Sequence, residues 1–280
     1  MRRYDIDSID NRDPELVARS LAAFERVAGS YFRAEVRGIE RIPEGAALYV
    51  GNHNAGILSP DTGLFAAAVH RTLGLAAVPY GLAHEVALEL PLLHQLLVPM
   101  GAVRASHDSA RRLFARGDKV LVYPGGDQEA LRPFRHRNRI VFGGRDGYIR
   151  SALRAGVPVI PFVAAGAHAT FVILDDGRWL ARVLGADRWL RLKVWPITLC
   201  LPWGLVVGPV PYVPWPTRIL IEVMQPMSFD RVGEVAAKDD AYVRACADRV
   251  EAAMQATLDR LADERERGES ATEAMIEGGA

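Results

Sequence analysis

Apolar and polar positions along this chain follow two rhythms. Short apolar runs bounded by glycine, proline or asparagine read as buried strands at 46–50, 77–80, 120–123, 157–163 and 218–223. A further strand is expected within 32–38, around Val36. Between these runs, apolar residues recur every three or four positions, as on helices that bury one face. Asp13-Pro14-Glu15 opens the first helix with a capping residue, a proline in the first turn and an acid near the positive end of the dipole. Leu16, Ser20, Ala23, Phe24, Val27 and Tyr31 then follow at helical spacing. Further helices are predicted at 64–75, 84–97 with a break at Pro91, 108–116 behind a Ser106 cap, 147–155 and 239–266. On the 84–97 helix, Leu88, Leu92, Leu93, Leu96 and Leu97 form an apolar face suited to the core or to an acyl-chain pocket.

The alternation of strands and helices implies an α/β fold, a central mixed sheet flanked by helices. The chain divides into an N-terminal helix over 1–30, a main domain over 31–235, a packing helix over 236–267 and a disordered tail over 268–280. One stretch fits neither rhythm. Residues 178–192 interleave Trp179, Arg182, Arg188, Trp189 and Arg191 with apolar positions, as in an amphipathic helix resting on a lipid surface. The apolar stretch 194–215 is broken by five prolines, Pro196, Pro202, Pro209, Pro211 and Pro214, so it is no spanning helix. It suits an interfacial flank or an ordinary buried segment.

Candidate chemistry collects where the strand runs end. The 46–50 run leads into Gly51-Asn52-His53-Asn54, and a glycine-, serine- and proline-containing loop then carries the chain to Asp61 at a helix start. Ligand sites of α/β sheets lie at such strand ends. A histidine can take a proton from a hydroxyl near neutrality, and a carboxylate on its other ring nitrogen fixes the tautomer. The plainer alternative is a packed histidine and an aspartate that caps a helix. The 120–123 run ends in a second loop, Pro124-Gly125-Gly126-Asp127-Gln128-Glu129, whose glycines allow close backbone approach. An arginine-rich stretch follows, Arg132, Arg135, Arg137, Arg139, Arg145 and Arg150, either a solvated face or a set of phosphate forks.

Composition narrows the classes. The 280 residues carry no formal net charge and are 50% hydrophobic, enough for a large core and a poor match to a nucleic-acid binder. Cys200 and Cys246 are too far apart for a zinc motif or a disulfide framework. Residues 1–7 show no apolar h-region, so no secretory leader is expected, and no run reaches the roughly 18 apolar residues of a membrane span. The expected setting is cytoplasmic, peripheral to the inner face of a membrane.

Four blocks occur in order: Asn52-His53 with Asp61; Gly101-Ala102-Val103-Arg104; Tyr123-Pro124-Gly125-Gly126-Asp127-Gln128-Glu129; and Val157-Pro158-Val159-Ile160-Pro161. This order resembles the glycerolipid and lysophospholipid acyltransferase family, over about residues 31–229. Pro-Gly-Gly with a following glutamate resembles its monoacylglycerol/diacylglycerol branch. The resemblance implies transfer of a fatty acyl group from acyl-CoA, a co-substrate, to a lipid hydroxyl at a membrane surface, with no cofactor and no metal. His53 is then the general base and Asp61 its orienting partner. Asn52, Gly125, Gly126 and Glu129 shape the substrate pocket, while Arg104 and, more weakly, Arg132 meet a phosphate. The family's usual spacing puts four residues between the histidine and the aspartate; here seven intervene, so the loop must fold back. Competing readings are a non-catalytic lipid- or acyl-CoA-binding protein of the same fold and an acyl hydrolase. The chain lacks a Gly-x-Ser-x-Gly elbow, which disfavours a serine hydrolase, and Ser59 and Ser106 read as loop and cap residues.

Overall fold

A computed structural model describes residues 3–54, 56, 59–185, 194–208 and 210–277, with side chains to 268. Among the described residues ten strands are formed: β1 Glu35–Arg37, β2 Ala47–Gly51, β3 Tyr80–Ala83, β4 Ala102–Arg104, β5 Lys119–Val122, β6 Val159–Ala165, β7 Val172–Asp175, β8 Ile197–Cys200, β9 Gly204–Val207 and β10 Leu220–Val223. Seven make the central sheet, in the order β1-β10-β6-β2-β5-β3-β4. The run β6-β2-β5-β3-β4 is parallel, and β10 pairs antiparallel with β6. The sheet is therefore mixed, as expected.

β2 lies at its centre and is buried on both faces, hence its unbroken apolar sequence. Leu48 and Val50 point into one core layer with Leu113, Ile149, Leu153, Val250 and Met254, from the helices His107–Ala115, Gly147–Ala155 and Asp240–Glu277. Ala47 and Tyr49 point into the other, with Val17, Leu21, Phe65 and Val69 from the helices Pro14–Tyr31 and Pro60–Leu73. In that layer Phe65 stacks on Phe162 with ring centroids 4.2 Å apart, a pairing that contributes about 0.5–1.5 kcal/mol beyond area burial.

Several expectations need correcting. The first helix buries Val17, Leu21 and Ala28, whereas Phe24, Val27 and Tyr31 are exposed, so its core face is turned by about one residue. The helical segment after His84 breaks at Pro91 as predicted, but of its leucine face only Leu88 is buried; Leu92 and Leu96 stand in solvent. The tail read as disordered from Gly268 continues as helix to Glu277. In the interfacial stretch, Arg178–Val183 is helical, and Arg188, Trp189 and Arg191 lie outside the described residues. The proline-broken stretch contributes β8 and β9 to a second sheet, β7-β8-β9, fully antiparallel. Both faces of that sheet are largely apolar, so no alternation announced it.

Candidate active site

Three neighbouring parallel strands, β6, β2 and β5, deliver their following loops to one edge of the sheet. His53 leaves β2, Tyr123 and the Gly125–Glu129 loop leave β5, and His168 follows β6. Gly51 makes the close approach possible: a Cβ there would lie 2.5 Å from ring carbons of both Phe162 and Tyr123. The two rings close over the end of β2, and the Tyr123 ring packs against His53 at 4.6 Å. Tyr123 is fixed in turn by a 2.6 Å hydrogen bond between its hydroxyl and Thr62 Oγ1.

The His53 ring is half-buried. Its Nδ1 meets Ser59 Oγ at 3.3 Å, and Ser59 donates its own proton to the Asn54 carbonyl at 2.9 Å. With that hydroxyl proton committed, the lone pairs of Ser59 face the imidazole. Nδ1 is then the protonated nitrogen and Nε2 carries the lone pair. Nε2 has no hydrogen-bond partner among the described residues. Burial, reinforced by the positive charge of Arg132, lowers the pKa of His53 to about 4, so the ring is neutral at physiological pH.

Asp61 does not sit on the histidine. It is fully buried in the first turn of the Pro60–Leu73 helix; its Oδ2 accepts from Asn54 Nδ2 at 2.9 Å and its Oδ1 has no partner. Burial pushes its carboxyl up to about 6, against the pull of the Asn54 hydrogen bond. The expected His53–Asp61 contact is thus replaced by Ser59 on the histidine and Asn54 on the aspartate. The long loop places a hydroxyl, not the carboxylate, beside Nδ1. Ser59 occupies the N-cap position of the helix but makes no capping bond there, whereas Ser106 caps as predicted, accepting from the Ser109 N–H at 3.0 Å.

Glu129 is fully buried under the loop. Its Oε2 accepts the backbone N–H of His53 and its Oε1 that of Val141, both at 3.0 Å. Burial raises its carboxyl to about 7, opposed chiefly by the Arg132 charge. Gly125 leaves room for it: an added Cβ would lie 2.4 Å from Glu129 Cβ and 2.5 Å from the Val141 carbonyl. Gly126 takes the positive φ of +52° that turns the loop. These two glycines thereby act on the protein's own backbone rather than on an open pocket.

The remaining predicted contacts go elsewhere. Asn52 forms an amide pair with Ala164, donating to its carbonyl at 3.1 Å and accepting its N–H at 2.8 Å, so it ties β2 to β6. Arg132 is buried and donates to the carbonyls of His53, Glu129, His136 and Arg137 and to Asn54 Oδ1, at 2.7–3.0 Å. Those five bonds use all five guanidinium N–H groups, and none is left for a phosphate. Arg104, on edge strand β4, is paired with Asp7 and Glu85. Two strands separate it from β2, roughly 14 Å at ordinary strand spacing. Arg145 and Arg150 of the basic stretch are also engaged, on the Pro124 carbonyl and on Asp146 and Asp240.

Sequence reasoning missed Asn54, Ser59 as a histidine partner, and His168, whose Nε2 donates to the Arg132 carbonyl at 2.8 Å. Asn54 lies inside the motif and its polarity was visible; its buried bridging position was not. The described clefts of about 630 and 270 Å³ are lined around Arg104 and around His107, and neither includes His53.

The acyltransferase family model matches residues 33–165, which contain all four blocks whole. An uncharacterized protein of Mycobacterium tuberculosis is 34% identical over 239 residues, covering 83% of this chain and 62% of that protein. This chain therefore spans less than two thirds of that relative's length. Diacylglycerol O-acyltransferase 2 of Homo sapiens is 26% identical over 109 residues, 37% of this chain and 26% of that enzyme. Among solved structures, the 1-acyl-sn-glycerophosphate acyltransferase PlsC of Thermotoga maritima superposes with a TM-score of 0.53 at 17% identity, covering 89% of this chain and 84% of that one. At that identity the likeness concerns the fold.

Proposed function

We propose that this chain, which matches the acyltransferase family model over residues 33–165, is a glycerolipid acyltransferase that transfers a fatty acyl group from acyl-CoA to the hydroxyl of a membrane lipid. The observation that carries the reading is His53: neutral, half-buried, its Nδ1 held by Ser59 and its Nε2 unpartnered among the described residues. In this reading Nε2 accepts the proton of the acceptor hydroxyl as that oxygen attacks the thioester carbonyl. The ester C–O bond forms, the C–S bond breaks, and the departing thiolate takes the proton from the imidazolium. No acyl-enzyme is needed. Ser59 is the positioning residue that keeps the tautomer. Asp61 acts one step back, through Asn54, and Glu129 holds the main chain of His53.

The acceptor we favour lacks a phosphate. Arg104 and Arg132, the two arginines the sequence offered for one, are engaged with Asp7 and Glu85 and with five protein acceptors respectively. An acylglycerol or long-chain alcohol fits such a site better than a lysophosphatidate. In this reading the protein works at a membrane surface; no helix among the described residues is long and apolar enough to span a bilayer.

The test is transfer from radiolabelled long-chain acyl-CoA to a panel of diacylglycerol, monoacylglycerol, long-chain alcohol and lysophosphatidate, for wild type and His53→Ala. Label should enter an uncharged acceptor, and the variant should lose at least about 100-fold, the lower range of general-base effects. Substantial turnover by the variant would remove His53 as the base. Preference for lysophosphatidate would overturn the acceptor assignment, and label released only as free fatty acid would make the protein a hydrolase.

A further inference from the structure

The second sheet, β7-β8-β9, presents an outer face that nothing in the described protein covers. Register assigns its residues. Directly opposed residues of antiparallel strands share a face, and Leu199 opposes both Val172 and Leu205, while Ile197 opposes Val207 and, across a bulge, Asp175. Apart from Asp175 these residues are apolar, as is Leu174 on β7, and four of the six apolar ones are strongly exposed: Leu174, Leu199, Leu205 and Val207. The other face is closed. Ile173, Thr198 and Cys200 are buried there, over the stacked rings of Phe171 and Tyr212. Trp203 sits in the turn between β8 and β9 at 60% exposure, with Val213 at 51% beside the Leu201 bridge.

The sheet is attached to the catalytic loops. Phe171 and Leu131 pack beside Gly56 of the His53 loop, each 3.4 Å from where a Cβ there would sit, and Gly56 donates its N–H to the Ala130 carbonyl at 3.0 Å. His168, which holds the Arg132 carbonyl, lies only four residues before the first residue of β7. Whatever docks on the outer face therefore settles next to the loop that carries the base.

We propose that the outer face of β7-β8-β9, tipped by Trp203, is the surface by which this protein docks on a lipid bilayer. Three features select a bilayer over a protein partner. The six apolar residues carry no charge, and the one charged residue in register with them, Asp175, is partly buried and accepts the Gly177 N–H at 2.7 Å, so the patch suits hydrocarbon and offers a protein partner little polar contact for specificity. The Trp203 indole N–H already donates to the Pro211 carbonyl at 2.6 Å, so the ring can enter the interface with its donor satisfied. The adjoining helix Arg178–Val183 exposes Arg182 next to Val183, a cation placed to meet headgroups. The inference deepens the reading of a membrane-lipid acceptor, and its test does not depend on turnover.

The test is co-sedimentation of the full chain with phosphatidylcholine vesicles containing 30% phosphatidylglycerol, without substrate, for wild type, Leu205→Asp, Val207→Asp and Trp203→Ala. Both aspartate substitutions fall at exposed positions, and the circular dichroism and urea midpoint of each variant are measured alongside. Wild type should sediment with the vesicles. Each aspartate variant should bind at least about tenfold more weakly, and Trp203→Ala several-fold more weakly. Brominated lipid should quench part of the tryptophan emission in wild type and less of it in Trp203→Phe. Equal sedimentation of wild type and aspartate variants, or quenching unchanged in Trp203→Phe, would overturn the assignment. So would a wild type that ignores vesicles but forms a dimer by light scattering which Leu205→Asp dissociates, because the face would then pair copies of the chain. If vesicle binding fails while label still enters a lipid acceptor in detergent, only the docking inference falls. If binding holds and transfer fails, only the proposed function does.

Discussion

Replacing Asp61 by asparagine separates what the buried carboxylate costs the fold from what it does for the site. The amide fits. Its oxygen can take the place of Oδ2 and keep accepting from Asn54 Nδ2, and its nitrogen falls where Oδ1 already has no partner. The substitution therefore removes a charge while keeping the Asn54 hydrogen bond. Burial raises this carboxyl from an ordinary 3.8 to about 6. Holding it ionised thus costs the folded protein about 3 kcal/mol, at 1.36 kcal/mol per pH unit. The folded pKa is raised, so the native state binds the proton more tightly than the unfolded chain. The carboxyl's stability contribution is full below about pH 3.8 and is lost as pH rises through about 6. Asp61→Asn does not titrate there. Its advantage in urea unfolding should grow from about 0.5 kcal/mol at pH 4 to about 3 kcal/mol at pH 8. Parallel pH–stability curves for the two proteins would refute the burial argument. Activity supplies the second half of the test. Amidating an orienting carboxylate in direct contact with a catalytic histidine costs about 10⁴-fold. Here Ser59 occupies that contact, so the variant should fall by no more than about tenfold. A loss of several orders of magnitude would show that Asp61 reaches His53 during the reaction.

Ser59→Ala should lower kcat by tenfold or more with little change in KM, and Ser59→Thr should restore most of it; wild-type kinetics in the alanine variant would show that the hydroxyl does not set the tautomer. With His53 lowered to about 4, kcat/KM should stay level from pH 8 down to about 5.5 and fall only near pH 4; an inflection near pH 6.5 would mean that the ring titrates like a solvent-exposed histidine. Gly125→Ala places a methyl 2.4 Å from Glu129 Cβ and should lower stability by about 1–3 kcal/mol, typical of overpacking; an unchanged urea midpoint would show that Glu129 yields without cost.

What was legible in the chain was what local pattern controls. The unbroken apolar run of β2, the break at Pro91 and the caps at Asp13 and Ser106 all appear where the sequence places them. So does the delivery of His53 and Glu129 to one edge of a mixed α/β sheet, because parallel neighbouring strands must release their loops on the same side. Pairings across the sheet were another matter. An arginine in a basic run reads as solvent- or phosphate-facing, and only the folded chain shows Arg132 buried among five protein acceptors. The turn of the first helix toward Val17 and Leu21 is set by the Pro60–Leu73 helix beneath it, which its own spacing cannot report. The small sheet escaped notice because strands apolar on both faces lose the period of two on which strand reading depends.

The seven-residue gap between His53 and Asp61 is accommodated by how the loop is held. A loop fixed by a direct histidine–carboxylate contact would be sensitive to that spacing. This one is gripped from beneath. Arg132 gathers the His53 carbonyl, the Asn54 side chain and three carbonyls of its own segment, and Glu129 takes the His53 N–H from below. Lysine, with three donors and no planar fork, could not serve five acceptors arranged this way. Both main-chain polar groups of His53 are thereby fixed by buried side chains of the segment that follows β5. The position of the base then depends little on where the loop goes next, and the extra residues are free to bring Ser59 to Nδ1. The same arrangement sets the electrostatics. The guanidinium that grips the loop also repels a proton on His53 and stabilises the carboxylates of Asp61 and Glu129. Burial, reinforced by this arginine's charge, keeps the imidazole neutral, and the same arginine fixes the main chain that carries it, the two conditions a general base must meet before the hydroxyl arrives.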